Sequence, residues 1–596
     1  MKTLRRLVAG TLFVCTFGSA MATFGCAKQE ETDFTEKIAA LPETPDNGTP
    51  SWEQGDKSPI TIDWFINTST LNPTFGSDSV TKKIREKTGI TINFRTAISD
   101  DDQELTKMFT SGMPDVVTVE SSSDLIYSMA TQGYAYPIES LAKRVAPGMF
   151  EGGYNGYFYK ERDIQNWYSV GENSYGMPNF QYSSYYYDEN TQIEPNGAIL
   201  VREDWFKEVT DKGYDMTTPG GFMQACAYIK KRYPTAIPVQ FDQFTADGCN
   251  SLLWLSQYFA VPFETEDGEY IYSYEHENYK EMMEFVNELY NKNYLDSSNL
   301  SANYTMLAKN IANEKVFCTI GTPQGFIDSY VSCYKNGVTY IPLVLRNSAG
   351  EDPVLQDLRG VGWLFNMITK DCEHADRVMK LFDFLSSDEG QLLVCYGVEG
   401  EAWEWADEEK THVKYTEEYI EDYKKKDTPD ASGKEYGLGL FLMIFSYGYS
   451  EKVKPLGADA TAVMKDYDVY FHNLKKPLTP YSYSFMPAML KIDRTADGYR
   501  EYIQKSNRVT RQYAKYVTEL ISCNSDQFEK TYNDVHGYLN SYGLQDVIAR
   551  NKSAYETTKK SLGISGNAYP RYKSGYVSPS TGANGDFSYW DYLTKE

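Results

Sequence analysis

Signatures of known enzyme active sites are missing from this sequence. Its 596 residues include five histidines, and none has a serine, cysteine or metal-ligating partner at a recognisable spacing. The motifs G-x-S-x-G and H-E-x-x-H, the phosphate-binding P-loop and a G-x-G-x-x-G turn that opens a helix are also absent. Carboxylate pairs are uninformative among 83 acidic residues. We therefore expect a protein that is not an enzyme.

Cysteine motifs are equally sparse. The nine cysteines include no C-x-x-C pair and no pair close to neighbouring histidines, so zinc is not indicated. Seven lie beyond residue 26, and this odd number argues against a disulfide framework, although one or two bridges remain an alternative. We expect most of the seven to be buried as small apolar side chains.

Long apolar runs are confined to the N terminus. Basic residues precede an apolar run from Leu7 to Phe17, and the chain becomes polar directly after Cys26, which is typical of a secretory signal peptide over residues 1–25. The run is too short to span a bilayer comfortably. A cysteine at the cleavage point predicts lipidation of Cys26, which would tether the mature protein to a membrane surface. Because Thr23 stands where such signals usually carry leucine, an ordinary signal peptide or an uncleaved anchor remains an alternative.

Positive charge is in short supply. The formal net charge is −25, and such a surface repels nucleic acid and anionic lipid. We therefore expect no nucleic-acid partner. The length exceeds what one hydrophobic core usually holds, so two or more domains are expected.

Strand and helix patterns alternate along most of the chain. Residues 26–57 are rich in proline and acidic residues and are predicted to be a flexible spacer. Alternating apolar residues then predict strands near residues 60–65, 89–94, 114–119, 197–201 and 316–321. Helical patterns lie between them, and they return over residues 371–387 and 484–560. This order predicts an α/β protein with mainly parallel sheets. Residues 564–596 resemble an irregular tail rich in tyrosine and glycine.

Several short motifs, taken in order, resemble those of the extracellular solute-binding proteins. The first departs from its S-G-x-x-P-D-V pattern by one missing residue. The motifs are Ser111-Gly112-Met113-Pro114-Asp115-Val116, Gly133-Tyr134-Ala135-Tyr136-Pro137-Ile138, Tyr175-Gly176-Met177-Pro178, Leu200–Phe206, Leu381–Gly390 and Tyr396-Gly397-Val398-Glu399-Gly400. The resemblance covers roughly residues 58–560. It is strongest to the large lipoprotein branch of family-1 solute-binding proteins of ABC importers, which are mostly oligosaccharide binders.

The resemblance implies a periplasmic-binding-protein-like fold of two α/β lobes, joined by a hinge that the chain crosses several times. Ligand would lie in the cleft between the lobes and be trapped when they close. The implied divisions are lobe I over residues 58–175, lobe II over 176–340, a return to lobe I over 341–405, and a helical completion, mainly of lobe II, over 406–563. Some relatives bind calcium before an I-P turn, but Lys231–Pro238 lacks clustered oxygen ligands, so we expect no metal there and no cofactor.

Aromatic side chains are abundant, with 50 tyrosines and nine tryptophans, and they suit stacking on sugar rings. Hydroxyl partners would be carboxylates and amides. Each aromatic has the alternative of packing in a core. The ligand-binding candidates are Trp64, Asn67, Glu120, Tyr185, Trp254, Trp363, Glu399 and Trp403.

The leading hypothesis is a monomeric receptor, exported and lipid-anchored to the outer face of the cytoplasmic membrane, that captures an oligosaccharide and delivers it to ABC permease subunits. A binding protein for peptides or lipid precursors with the same fold is one alternative. A secreted polysaccharide-active enzyme is another, and it would need a paired acid and nucleophile in the cleft.

Overall fold

The computed structural model describes residues 34–581, apart from 70, 72, 99–101, 188–190, 192, 246–247, 426–434, 438–440, 448–452, 456–473 and 495. The predicted signal peptide, the lipid anchor Cys26 and tail residues 582–596 lie outside the described residues. Within the described part, no helix is both long and apolar enough to cross a membrane.

Fourteen strands are described. They are β1 Ile60–Ile66, β2 Ile90–Thr96, β3 Val116–Glu120, β4 Met177–Pro178, β5 Ala198–Arg202, β6 Ile237–Phe241, β7 Val316–Gly321, β8 Tyr340–Pro342, β9 Leu355–Gln356, β10 Leu364–Ile368, β11 Trp403–Trp405, β12 His412–Tyr415, β13 Lys454–Pro455 and β14 Ser482–Tyr483.

The described helices are α1 Phe34–Ala40, α2 Ser79–Thr88, α3 Gln103–Ser111, α4 Leu125–Thr131, α5 Ile138–Val145, α6 Tyr157–Lys160, α7 Arg162–Tyr168, α8 Glu203–Asp211, α9 Pro219–Arg232, α10 Asn250–Tyr258, α11 Glu277–Asn291, α12 Tyr304–Ala312, α13 Ile327–Lys335, α14 Ala375–Ser386, α15 Asp388–Tyr396, α16 Glu417–Lys425, α17 Leu442–Phe445, α18 Tyr499–Ser522, α19 Phe528–Ser541 and α20 Leu544–Ser561.

Lobe I is built around a five-stranded sheet with the order β2-β1-β3-β10-β4. Strands β1, β2 and β3 run parallel as predicted, whereas β10 runs against both of its neighbours, so the sheet is mixed. The alternation along β1 places Ile62 and Trp64 in the core beneath α5 and α14, while Phe65 enters a second core beneath α3. Two apolar layers therefore enclose the sheet.

A chain of buried hydrogen bonds fixes the register at the centre of this sheet. The Trp64 indole N–H donates to Thr118 Oγ1 at 2.7 Å, and the Thr118 hydroxyl donates to Asn366 Oδ1 at 2.7 Å. The Asn366 amide then donates to the carbonyls of Met177 and Ile444. Because buried polar groups must find partners, this chain ties β1, β3, β10 and β4 to α17.

Lobe II contains a four-stranded sheet with the order β6-β7-β5-β8. Strands β6 and β7 are parallel, but β5 is antiparallel to both of its neighbours, so this sheet is also mixed. One large core surrounds it and takes in side chains of α18, α19 and α20, such as Val517, Leu539 and Val547. The C-terminal helices therefore complete this lobe.

Three chain segments cross between the lobes and are held to one another. Strand β9 pairs with β14, the Asn196 N–H donates to the Gln356 carbonyl at 2.9 Å, and the Leu358 N–H donates to the Glu194 carbonyl. The Arg359 guanidinium forms a buried ion pair with Asp357 at 2.6 Å and donates to the Thr191 carbonyl at 2.8 Å. These bonds form the hinge.

The predicted spacer is wrong for residues 34–57. Helix α1 packs on α5, and Arg144 donates to the Leu41 carbonyl. Trp52 is 4% exposed and meets Tyr154 and Phe384 with ring centroids 5.2 Å apart in both pairs. Composition suggested a solvated linker, whereas these aromatic contacts bury the segment against lobe I.

Two further divisions differ from those predicted. Residues 403–455 hold the three-stranded sheet β11-β12-β13, and Phe441 and Phe445 enter the lobe I core rather than lobe II. In the tail, Ala568 and Tyr569 are each 1% exposed and pack against Phe263. The described part of the tail is therefore packed on the fold, because its tyrosines find a buried aromatic cluster.

All seven cysteines beyond Cys26 are free thiols, and four of them are buried. The four are Cys226, Cys318, Cys333 and Cys372. The expectation of small buried side chains is thus met for most of the set.

A carboxylate is buried in lobe I without an ion-pair partner among the described residues. Glu161, between α6 and α7, is 1% exposed, accepts one hydrogen bond from the Ser183 hydroxyl at 3.3 Å, and leaves Oε2 without a hydrogen-bond donor. Burial raises the pKa of Glu161 from 4.5 to about 8.

This burial makes the stability of the protein depend on pH. The folded state holds a proton on Glu161 that the unfolded chain loses, so the free energy of unfolding should fall as pH rises from about 4.5 to 8. Glu161→Gln stays neutral, so its free energy of unfolding should not fall in this way. The difference between variant and wild type should therefore grow by roughly 3–5 kcal/mol in favour of the variant from pH 5 to pH 8. Urea denaturation at both pH values measures this. Glu172→Gln, an exposed control in the same lobe, should track wild type; a parallel fall in the Glu161→Gln protein would contradict the account.

Candidate functional site

One edge of the lobe I sheet collects strand ends from four neighbouring strands. Asn67 and Ser121 follow the carboxyl ends of β1 and β3, Asn179 follows β4, and Trp363 precedes the reversed strand β10. Open α/β sheets bind ligands at the carboxyl ends of their strands. The structure thus brings the predicted residues Asn67, Glu120 and Trp363 to a single edge.

Backbone bonds hold Trp363 at this edge. Its N–H donates to Asn179, and its carbonyl accepts from the Ser121 N–H at 2.8 Å. The residue is only partly buried, unlike the tryptophans inside the cores. Its ring is therefore placed where it can contact a ligand.

Asn67 offers a buried acceptor at the same edge. It is 5% exposed, and its amide donates to Asp102, which has a left-handed backbone with φ of 59°. Its Oδ1 accepts no hydrogen bond from any described residue. A hydroxyl donor from a ligand would satisfy that oxygen.

The corresponding edge of lobe II carries Asp242, a residue that the sequence analysis missed. Asp242 follows β6 directly, and its carboxylate accepts the backbone N–H groups of Gln243 and Thr322. Burial raises the pKa of Asp242 above its ordinary value. Asp242 lines a small cavity with Gly321, Thr322 and Phe326, and its volume of about 10 Å³ has room for about one water molecule. Its place just after a buried strand was the signal that could have identified it.

Trp254 lies under this edge rather than on it. It is 5% exposed, its indole N–H donates to Thr322 Oγ1 at 3.0 Å, and its ring covers Gly197. A Cβ on Gly197 would lie 2.2 Å from the Trp254 ring, so only glycine fits there. Trp254 therefore supports Thr322 and leaves little of its own surface exposed to a ligand.

Tyr304 supplies an exposed aromatic surface next to the lobe II pocket. It is 50% exposed and stacks on Phe326 with centroids 5.0 Å apart and planes 11° apart. Its hydroxyl donates to the Gly325 carbonyl, which fixes the ring. Nothing in the sequence distinguishes this tyrosine from the other 49, so it could not be selected from sequence.

Two predicted stacking platforms are wrong in this conformation. Trp64 is 0% exposed and packs against Phe94 and Phe382, because its position on β1 directs the ring into the core. Trp403 is 1% exposed and donates its indole N–H to the Gly397 carbonyl at 2.8 Å. Neither ring presents a face to a ligand.

The two remaining candidates, Tyr185 and Glu399, are exposed. Tyr185 is 54% exposed and meets Tyr159 and Tyr186 edge-on. Glu399 is exposed in the turn before β11, and nearby Glu401 accepts a hydrogen bond from Ser79 at the start of α2. Ligand contact by Tyr185 and Glu399 stays a prediction.

Metal-binding side chains are not clustered in the described part of the chain. No group of three or more histidine, cysteine, aspartate or glutamate residues could hold an ion there. Residues 231–238 form the end of α9 and the start of β6.

No protein-family model and no curated protein matches the sequence. Solved structures do match, each over 84% of this chain. The ABC-transporter substrate-binding protein FusA of S. pneumoniae, an EF-hand mutant in complex with fructo-nystose, has a TM-score of 0.63, 17% identity and 100% of its own chain covered. The alginate-binding protein AlgQ2 without calcium ion has a TM-score of 0.60 and 16% identity, with 98% of its own chain covered. An HMO-binding solute-binding protein from Bifidobacterium longum infantis has a TM-score of 0.60 and 13% identity, with 99% of its own chain covered. At such identities the likeness shows the fold, and it confirms the predicted two-lobe α/β class.

The contrast between buried and edge tryptophans can be tested directly. Trp64→Ala removes a fully buried ring and its hydrogen bond to Thr118, so the free energy of unfolding should fall by about 3–5 kcal/mol. Trp363→Ala should cost clearly less, because its ring is partly solvated. Urea denaturation followed by circular dichroism compares them, and equal losses would show that Trp363 is a core residue.

Proposed function

We propose that the protein is the solute receptor of an ABC importer, and that it captures an oligosaccharide between its lobes and delivers it to the permease. The observation that carries this proposal is the pair of sheet edges, one on each lobe, that both offer an aromatic ring beside polar groups. Lobe I offers Trp363 with Asn67, and lobe II offers Tyr304 with Asp242. Sugars need both kinds of contact, since their rings have apolar faces and their hydroxyls need partners.

The hinge supports the same reading. Segments bound together by β9–β14 pairing leave the edges free to approach by rotation of the lobes. A ligand that contacts both edges only when they are close would favour the closed arrangement. Capture and release then require no covalent chemistry.

The solved structures of the same fold support the choice of ligand. Those proteins bind fructo-nystose, alginate and HMO. These are all glycans, and this chain carries aromatic and hydroxyl-binding groups at the edges where its fold would place a ligand. The proposed ligand class is therefore an oligosaccharide.

The N terminus supports a place at the membrane. A signal peptide over residues 1–25 followed by lipidated Cys26 would hold the receptor on the outer face of the cytoplasmic membrane, as a monomer beside the permease. Seven residues separate Cys26 from Phe34, the first residue of α1, and a fully extended chain of that length reaches about 25 Å. Lobe I would therefore stay close to the membrane surface.

Titration calorimetry against glycans and peptides tests the function. We expect at least one oligosaccharide of a panel of fructans, glucans, mannans and milk-type glycans to bind, and the peptides not to bind. Trp363→Ala should weaken the tightest glycan about tenfold to a hundredfold, which corresponds to about 1–3 kcal/mol of lost stacking.

Trp205→Ala is the matched control. Trp205 lies on α8 at the opposite edge of the lobe II sheet and stacks on Tyr233, so its loss should lower the melting temperature without weakening glycan binding. Binding of peptides and not glycans, or hydrolysis of a glycan during the titration, would refute the proposed function.

Lipidation is tested separately with Cys26→Ala. Without the thiol there is no acyl acceptor, so the variant should be released into the medium or accumulate as an uncleaved precursor. Cell fractionation with mass spectrometry of the N terminus distinguishes these products. A fully processed, membrane-bound Cys26→Ala protein without an acyl chain would overturn the anchor.

A further inference from the structure

We infer that the cleft selects neutral oligosaccharides and rejects uronate-containing ones, with Asp242 as the residue that makes the selection. This inference rests on the proposed function and names the class of sugar within it. The fold itself cannot decide the matter, because a protein in complex with the neutral sugar fructo-nystose and a protein that binds the anionic polymer alginate match this chain about equally well.

The Asp242 carboxylate has a fixed position at the lobe II edge. Asp242 is partly buried at the carboxyl end of β6, and its Oδ2 lies 3.1 Å from where a Cβ on Gly321 would be. The N–H of Thr322 donates to this carboxylate, and the Thr322 hydroxyl accepts from Trp254. The carboxylate is thus held in one place at the lobe II edge and lines the pocket there.

The charge of Asp242 lacks a compensating cation in the described part of the chain. Within the described residues, Asp242 takes part in no ion pair, and its carboxylate accepts the backbone N–H groups of Gln243 and Thr322. Burial raises the pKa of Tyr304, and the charges of Asp328 and Asp242 raise it further. An anionic ligand at this edge would therefore meet a negative charge that is partly buried and has no ion-pair partner among the described residues.

The opposite edge adds charge of the same sign. Glu120 ends β3, and Asp102 receives the amide of Asn67. The whole chain carries a formal net charge of −25. A sugar carboxylate would therefore approach a protein whose overall charge has the same sign.

A neutral sugar has the chemistry that suits this carboxylate. Its hydroxyls donate hydrogen bonds to carboxylates, and such charge-assisted bonds are stronger than neutral ones. A uronate that places its carboxylate about 5 Å from Asp242 should bind about tenfold to a hundredfold less tightly, after allowance for partial solvation. One side chain can thus attract one class of sugar and exclude the other.

The experiment uses the full-length mature protein and calorimetry with chemically matched sugars. The neutral probes are kestose, maltotetraose, cellotetraose and lacto-N-tetraose, and the anionic probes are tetramers of alginate and of polygalacturonate. The tightest neutral binder is then oxidised at its primary hydroxyls to carboxylates, and the methyl ester of that product controls for size. Wild type should bind the ester at least tenfold more tightly than the carboxylate.

Asp242→Asn removes the charge while keeping the size of the side chain, and it should reduce the ratio of ester affinity to carboxylate affinity by about tenfold. Asp267→Asn removes one charge from an exposed loop of the same lobe and should leave the ratio unchanged. A melting curve checks that both variants fold. If Asp242→Asn does not fold, the ratio of ester affinity to carboxylate affinity in the wild-type protein still tests the inference.

Three outcomes would overturn the inference. Wild type binds a uronate as tightly as its ester, or Asp242→Asn leaves the ratio unchanged, or Asp267→Asn lowers it equally. Any of these, with glycan binding intact, leaves the proposed function standing. If no glycan of either class binds, the proposed function is refuted together with the inference.

Discussion

The buried ion pair between Asp357 and Arg359 is the interaction on which the two-lobe arrangement depends. Asp357 is 0% and Arg359 6% exposed, so two charges have been removed from water and must satisfy each other. They do so while also binding neighbouring crossing segments, since Arg359 donates to Thr191 and the Asp357 N–H donates to the Tyr483 carbonyl. Loss of one partner would leave the other as an uncompensated charge at the junction of three strands of chain.

The positions of the two sheet edges that we propose to bind ligand follow from where the crossing segments join the sheets. They enter lobe I just before β10 and lobe II just before β5, the two reversed strands. A reversed strand brings its amino end to the edge where its neighbours end, which puts Trp363 beside Ser121 and Gly197 beside Thr322. Trp254 can cover that edge closely only because residue 197 has no side chain. The hinge and the ligand-binding edges are thus consequences of the same topology.

Local patterns in the sequence predicted the regular elements well. The expected strand at residues 316–321 is β7, and the helical pattern expected over residues 371–387 contains α14. The predictions that were wrong concern side chains whose packing partners are distant in sequence. Position near a strand end did not reveal that Trp64 faces Phe94 and Phe382, and composition did not reveal that Trp52 packs on Phe384. Asp242 was missed because, among 83 acidic residues, only the end of β6 singles it out.

The central claim is that the two edges close on a captured oligosaccharide, and small-angle X-ray scattering tests it most directly. The radius of gyration of the mature protein should decrease when the glycan identified by calorimetry is added to saturation, and it should not change with a glycan that does not bind. An unchanged scattering profile, for a free protein whose profile fits an open arrangement of the lobes, would contradict the account.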